Sequence, residues 1–385
     1  MRNVALDLGA RTLSYCEVHQ GRVIDRATVR SLSALLGRLG PDQPPARVAF
    51  EACREGWHVH DTLAEWGNEP LMLDTTRIKQ LGVGQHGRKT NRLDTEAMAM
   101  ALDEGRIALA HVLSPPRRAL RFHLSVRRAL VESRAQYVTT VRGLVRAQGQ
   151  LLASCAAEDF VALVRRTKLE EATRALVAPL ERLLGELNEQ IALVDTKLEQ
   201  LCVQEPVIAQ LMTAPGVGLV VAAAVVTTLD SAGRFAHAHQ VESYLGLVPC
   251  EDSTGDARQR RLGAISKQGN GYTRALLVQA AWCILRLRDP NDPLKQWGEA
   301  VAQRRGKHVA AVAVARRLAG VLWSMWRRGT VYDSAYVGAH SARGLAVAAQ
   351  TTAHRAAALQ RAAKKIRRRT STSPKEGNAK EGRRT

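Results

Sequence analysis

The sequence predicts an α/β domain at the N-terminus followed by a mainly α-helical remainder. Three observations carry this. Short apolar strand-like runs alternate with helix-like segments over residues 1–110. Two long stretches with heptad spacing follow Pro115-Pro116, and a helix-rich globular segment begins at Pro206.

In the first part, Val4-Ala5-Leu6 reads as a strand leading into Asp7, and residues 13–18 read as a second. A helical stretch near residues 31–39 precedes the apolar run Val48-Ala49-Phe50, which ends on Glu51. A helix at about residues 57–66 and a strand at Pro70-Leu71-Met72-Leu73 complete the alternation. Acidic residues therefore stand at two strand ends.

In the second part, Leu124, Val131, Val138, Val145 and Leu152 recur every seventh residue, the spacing of a coiled coil. Leu176, Leu180, Leu183, Leu187, Ile191, Val194, Leu198 and Leu201 repeat at intervals of three and four. Pro179 interrupts this run and fits if it falls in a first helical turn. Such helices pair within a chain or between chains, and a contribution to a dimer is the favoured reading. The expected organisation is residues 1–112, a coiled-coil segment 113–205, a third domain 206–335 and a basic, disordered tail 336–385 with an Ala-rich helical stretch at 346–366.

Charge narrows the function. Lys and Arg number 56 against 36 Asp and Glu, giving a formal charge of +20 and a polyanion as the expected partner. Residues 343–385 hold twelve basic and two acidic side chains, so half the excess lies on the rest of the chain. The six cysteines show no metal or disulfide spacing, which fits a reducing cytosol. No signal peptide is evident, and the apolar run 217–229 is too short to span a bilayer, so a cytoplasmic location without membrane contact is expected.

Three constellations carry chemistry. Asp7, Glu51 and Asp94 offer hard oxygen ligands for Mg²⁺, with Asn91 one helical turn before Asp94. Ala214-Pro215-Gly216-Val217-Gly218 has the form of a helix-hairpin-helix turn, where Gly216 and Gly218 would let the backbone approach phosphate. A Ser253-Thr254-Gly255 loop, followed by Arg258, Arg260, Arg261, Lys267 and Arg274, offers a serine nucleophile amid phosphate-neutralising cations. The pairs His58/His60 and His237/His239 suit surface or capping roles. Trp282, Trp297, Trp323 and Trp326 suit core packing, with base stacking a lesser alternative.

The order of several motifs makes the chain resemble the DEDD transposases of the bacterial IS110 insertion-sequence family and its IS1111 branch over residues 1–330. The motifs are Gly87-Arg88-Lys89-Thr90-Asn91-Arg92-Leu93-Asp94, Ala214-Pro215-Gly216-Val217-Gly218, Tyr244-Leu245-Gly246-Leu247-Val248-Pro249, Ser253-Thr254-Gly255, Ile265-Ser266-Lys267-Gln268-Gly269-Asn270 and Leu277-Val278-Gln279-Ala280-Ala281-Trp282. The resemblance implies a RuvC-like, ribonuclease H-type first domain, a coiled-coil linker and a C-terminal transposase domain. It implies recombination of donor and target DNA guided by a structured RNA, within a homo-oligomer whose active sites combine domains of different chains. It also implies Ser253 as nucleophile and Asp7, Glu51 and Asp94 as the Mg²⁺ site. The family has aspartate where this chain has Asn91, so one carboxylate is missing unless Glu96 or a phosphate oxygen compensates.

Two other functions remain in view. Asp7-Leu8-Gly9-Ala10-Arg11-Thr12 also looks like the first phosphate loop of an actin-like ATPase, though no second such loop is found. A non-catalytic RNA- or DNA-binding protein would share the charge.

Overall fold

The computed structural model describes residues 1–75, 77, 91–251 and 262–339, and the chain divides into two units, Met1–Leu113 and the remainder from Ser114. Residues 340–385, with the Ala-rich stretch 346–366, lie outside the described residues, whereas 336–339 of the expected disordered tail end a helix whose Val337 is buried in the core.

The first unit is built on five strands: β1 (Arg2–Leu8), β2 (Leu13–His19), β3 (Arg22–Val29), β4 (Ala46–Glu51) and β5 (Glu69–Leu73). Helices α1 (Leu36–Leu39), α2 (Gly56–Glu65) and α3 (Asn91–Asp103) accompany them. The sheet order is β3-β2-β1-β4-β5; β1, β4 and β5 run parallel, and β2 and β3 form an antiparallel meander on one side. Successive strand residues face opposite sides. Val4, Leu6, Tyr15, Val48 and Phe50 pack with Leu35, Leu39, Val59 and Leu63 on one face. Ala5, Cys16, Ala49, Leu71 and Leu73 pack with Met98, Ala99 and Leu102 of α3 on the other. This two-sided burial explains the continuous apolar runs of β1 and β4. Strand β3 is absent from the sequence reading because its edge position lets it carry Arg22, Asp25 and Arg26, which break the apolar signal.

The second unit begins with α4 (Pro115–Ala147), α5 (Phe160–Arg166) and α6 (Glu171–Val203). Pro115 and Pro116 occupy the first positions of α4, where the missing amide costs nothing. Helices α4 and α6 pair within the chain and run antiparallel: Arg127 meets Asp195, and seven residues further on Arg134 donates to Asn188 Oδ1 at 3.0 Å. The apolar seam between α4 and α6 is thereby closed inside one chain.

The seam of α6 also differs from the expected one in its first half. Leu176 and Leu183 are 49% and 42% exposed, whereas Val177 and Leu184 are 0% and 1% exposed. The reason is α5, whose Phe160, Leu163 and Val164 join Val141, Val145, Val177 and Leu184 in one cluster and turn that face of α6 inward. Pro179 lies in the third turn, not the first, and the helix continues through it. Its ring is exposed, so the amide it lacks leaves a carbonyl on the solvent side.

The remaining elements are α7 (Pro206–Leu211), α8 (Leu219–Leu229), α9 (Ala238–Tyr244), β6 (Pro249–Glu251), β7 (Leu262–Ile265), α10 (Gly271–Leu285), α11 (Pro293–Arg305), α12 (Lys307–Arg328) and α13 (Ser334–Ala339). Helix α8 is buried from Ala222 to Leu229 and packs against α10, α4 and α7, while α12 packs on α10 and joins the same core. Leu120, Leu124, Leu198 and Cys202 of the long helices enter this same core. Among the described residues one helix, α12, is long and apolar enough to cross a membrane by length and composition. Its Ala311, Val314, Leu318 and Leu322 are buried in the core of this unit. Trp297, Trp323 and Trp326 pack against that core, and Trp323 Nε1 donates to Ala232 O at 3.0 Å.

Candidate active site

Strand pairing puts two of the three acidic residues side by side. Leu6 of β1 lies opposite Phe50 of β4 in a parallel ladder, so Asp7 and Glu51 follow as the next neighbours at the carboxyl ends of both strands. They share the parity of Ala5 and Ala49, whose side chains pack with α3, and so stand on the α3 face.

Helix α3 brings the third. Its last residue, Asp103, accepts from Asn3 Nδ2 and from the Gly21 amide, both at 2.8 Å, which fixes the end of the helix beside the start of β1. These donors, the Gly21 amide first, hold the Asp103 carboxyl below its ordinary range. Nine helical residues back from Asp103 cover about 13.5 Å at ~1.5 Å each. Four strand residues from Asn3 to Asp7 cover about 13 Å at ~3.3 Å each. Asp94 is therefore level with Asp7. It lies on the stripe of Met98 and Leu102 that faces the sheet, and is 6% exposed.

Among the described residues, no group of three or more His, Cys, Asp or Glu side chains stands close enough to hold a metal. The donor chemistry nonetheless fits Mg²⁺, which keeps several waters and takes one or two carboxylates plus substrate phosphates. Asn91 opens α3 one turn before Asp94, and its side chain lies outside the description. Glu96, the compensating acid considered above, points elsewhere and is bound to Arg26 of β3. The Gly9 amide, which an ATP phosphate loop would offer to its ligand, donates to Thr12 O at 3.1 Å and closes the β1–β2 turn.

The serine constellation is framed by its base. Ser253, Arg258, Arg260 and Arg261 lie outside the described residues, in the segment joining β6 to β7, which pair antiparallel from Pro249↔Ile265 to Glu251↔Leu262. Beneath the hairpin two chain segments cross at glycines. A Cβ on Gly246 would sit 2.1 Å from Gln268 O, and one on Gly269 would sit 2.1 Å from Tyr244 O. Lys267, exposed between them, has a φ of 55° and donates its amide to Gly246 O at 3.1 Å. Asn270 caps α10 by accepting from the Tyr272 and Thr273 amides, and its Nδ2 donates to Thr228 Oγ1 at 3.1 Å. Arg274, read from sequence as a phosphate clamp, donates from Nη1 to Leu245 O at 3.0 Å. It braces this crossing, because the bent segment leaves that carbonyl without a helical partner.

The Pro-Gly turn joins α7 to α8, and Gly216 has a φ of 71°. A Cβ there would meet Ala280 O at 2.6 Å, so the space that only glycine permits is taken by α10 and not by a phosphate. Gly218, the N-cap of α8, has open space on its side-chain side. Among the histidines, His237 sits at the N-cap of α9, His60 pairs with Asp61 and His239 with Glu242.

Sequence reasoning passes over Ser14 and Thr28. The ladders Asp7↔Ser14 and Ser14↔Thr28 set both in one cross-sheet row with Asp7, on the same face. Only the parity of three strands together could have revealed this, and β3 was not recognised as a strand.

Residues 208–295 match the model of the transposase IS116/IS110/IS902 family. Over longer stretches the chain is 30% identical to a probable family 20 transposase of Pseudomonas aeruginosa, covering 81% of this chain and 90% of that protein. It is 26% identical to the transposase for insertion sequence element IS1111A of Coxiella burnetii, across 74% and 79% of the two chains. The transposase for insertion sequence element IS1328 of Yersinia enterocolitica is 24% identical across 86% of this chain and 98% of its own length.

Proposed function

The chain belongs to the IS116/IS110/IS902 family of transposases and is an enzyme acting on DNA, and from that premise we propose that it cuts and rejoins insertion-sequence DNA through Ser253, guided by a structured RNA. The observation that carries the reading is the placement of Asp7 and Glu51 as neighbours at parallel strand ends, with buried Asp94 level on α3. A mixed sheet with acids at these positions supports a RuvC-like, ribonuclease H-type assignment for the first unit. The antiparallel α4–α6 hairpin supports a coiled-coil role for the segment between the two ends of the chain.

In this reading Ser253 Oγ attacks the phosphorus of a DNA phosphodiester. A serine O–P bond forms, the bond to a DNA hydroxyl oxygen breaks, and that oxygen takes a proton. A hydroxyl of the other DNA end then attacks the phosphoserine, joins the strands and returns the serine. Arg258, Arg260 and Arg261 neutralise the phosphate charge, which a serine nucleophile requires. Asp7, Glu51 and Asp94 are the residues that would hold Mg²⁺, and the ion would supply Lewis-acid stabilisation of phosphate oxygens. Completion of one site by two chains of a homo-oligomer, and action in the cytoplasm at the nucleoid, belong to the same proposal.

The test is covalent capture. The wild-type protein with guide RNA and element DNA yields a protein–DNA adduct that maps to Ser253, and Ser253→Ala yields neither adduct nor recombined DNA. Recombination at wild-type rate by Ser253→Ala would overturn the nucleophile assignment.

A further inference from the structure

We propose that the cavity beside the carboxylate row binds a backbone phosphate of a nucleic-acid strand, next to the phosphodiester held at Asp7 and Glu51; this rests on the carboxylate reading above. The cavity has a volume of about 340 Å³, and the side chains that matter are Ser14, Arg26, Thr28, Arg92 and Thr95.

The sheet register creates it. Glu51, Asp7, Ser14 and Thr28 form one row across β4, β1, β2 and β3 on the α3 face, because each is paired or follows a paired neighbour in three consecutive ladders. The row is divided by charge. Two carboxylates occupy β4 and β1, and two hydroxyls occupy β2 and β3. Two residues along the strands from that row, Arg26 is paired opposite Cys16 on the same face. From above, the first two turns of α3 add exposed Arg92 and buried Thr95.

The chemistry is that of an anion site placed beside a cation site. Among the described residues no carboxylate lines the cavity, and Glu96, which follows Thr95, is neutralised by its ion pair with Arg26. A guanidinium has five N–H donors, so that pair leaves Arg26 others to offer. Cys16 is buried at the base, where burial raises its thiol pKa, so it adds no competing negative charge. Hydroxyl and guanidinium donors are the groups that position phosphates in nucleic-acid complexes. Strands lie about 4.8 Å apart, so the midpoint between Ser14 and Thr28 is about 7 Å from Asp7 across the sheet. That is the reach of one nucleotide. A strand lying across the sheet would thus place one phosphate at the acids and the next over the hydroxyls.

The experiment uses the full chain, wild type and the variants Arg92→Ala and Thr28→Val/Arg92→Ala, with a DNA and an RNA oligonucleotide of one sequence. Binding is followed by fluorescence anisotropy across a salt series. Both positions are exposed, so folding is preserved, and Arg92→Lys serves as the charge-conserving control. The expected result is a roughly five- to tenfold loss of affinity in the double variant and a log K against log salt slope shallower by about one, with the slope restored in Arg92→Lys. A loss confined to DNA assigns the cavity to the substrate strand, and one confined to RNA assigns it to the guide. Unchanged affinity and slope for both oligonucleotides would overturn the proposal. Asp7→Asn separates the two levels: if it binds but no longer cleaves, the carboxylate reading stands whatever the cavity does, and if it cleaves at wild-type rate that reading fails.

Discussion

Gly246 and Gly269 each occupy the space where the other's segment passes: a Cβ on either would lie 2.1 Å from a carbonyl oxygen of the opposite strand, Gln268 O for the first and Tyr244 O for the second. Their φ values of 68° and 107° independently favour glycine. The crossing sets the base from which β6 and β7 present the Ser253 segment. Gly246→Ala and Gly269→Ala are each expected to destabilise the second unit by about 3 kcal/mol or more, since backbone must shift as well as strain. Thermal unfolding measures this, and a melting temperature within a degree of wild type would contradict the interlock.

Arg134 is buried in the α4–α6 seam and satisfied by Asn188 at 3.0 Å and Glu158 at 3.0 Å. Arg134→Ala leaves a cavity and removes the donor to Asn188 Oδ1, while the exposed Glu158 carboxylate turns to water, and is expected to cost about 2 kcal/mol. Arg134→Met combined with Asn188→Leu restores an apolar seam and should recover most of the loss. Urea unfolding of the three proteins decides it: equal destabilisation of the single and double variants would mean the pair does not act as described.

The tether of α3 gives a pH dependence. Asp103 is held below the ordinary carboxylate range by the Gly21 amide and by Asn3. A depressed folded pKa means that this stabilisation is present above the unfolded value of about 3.9 and is lost as pH falls through the folded value. Asp103→Asn should therefore be less stable than wild type at neutral pH and converge with it below about pH 4. Parallel acid-unfolding curves offset by a constant amount would refute the linkage.

At the carboxylate site, Asp7→Asn and Asp94→Asn are expected to lower DNA cleavage by at least about a hundredfold while leaving RNA binding intact. Asn91→Asp restores the charge that the family pattern carries. It should lower the Mg²⁺ concentration needed for half-maximal activity, read from a metal titration of cleavage. An unchanged titration would show that position 91 does not contact the ion.

Much of the site was readable from the chain alone in its local parts. Apolar runs ending in Asp7 and Glu51 are strands because a two-sided buried sheet demands continuous hydrophobicity, and the i, i+3 spacing of Asn91 and Asp94 is helical geometry. The packing role of Gly216 was not readable, for the converse reason. A Pro-Gly turn looks the same whether the bare Cα faces a phosphate or another helix, and here it faces Ala280 O of α10. Arg274 likewise stands among basic residues in sequence, and its bracing of Leu245 O shows only in the fold.

The sequence by itself determined the class of the fold, the polyanionic partner implied by the +20 charge, and the order of motifs that identifies the family. These are properties of composition and short-range periodicity, which need no knowledge of distant neighbours. Tertiary structure alone decided that Asp7, Glu51, Ser14 and Thr28 share one row, that Asp94 stands level with it, and that Val177 and Leu184, not Leu176 and Leu183, close the helical seam. Each depends on register or packing between segments far apart in the chain. Side-chain direction in a strand reverses with a single-residue slip, and the choice between two adjacent helical stripes rests on what packs against them.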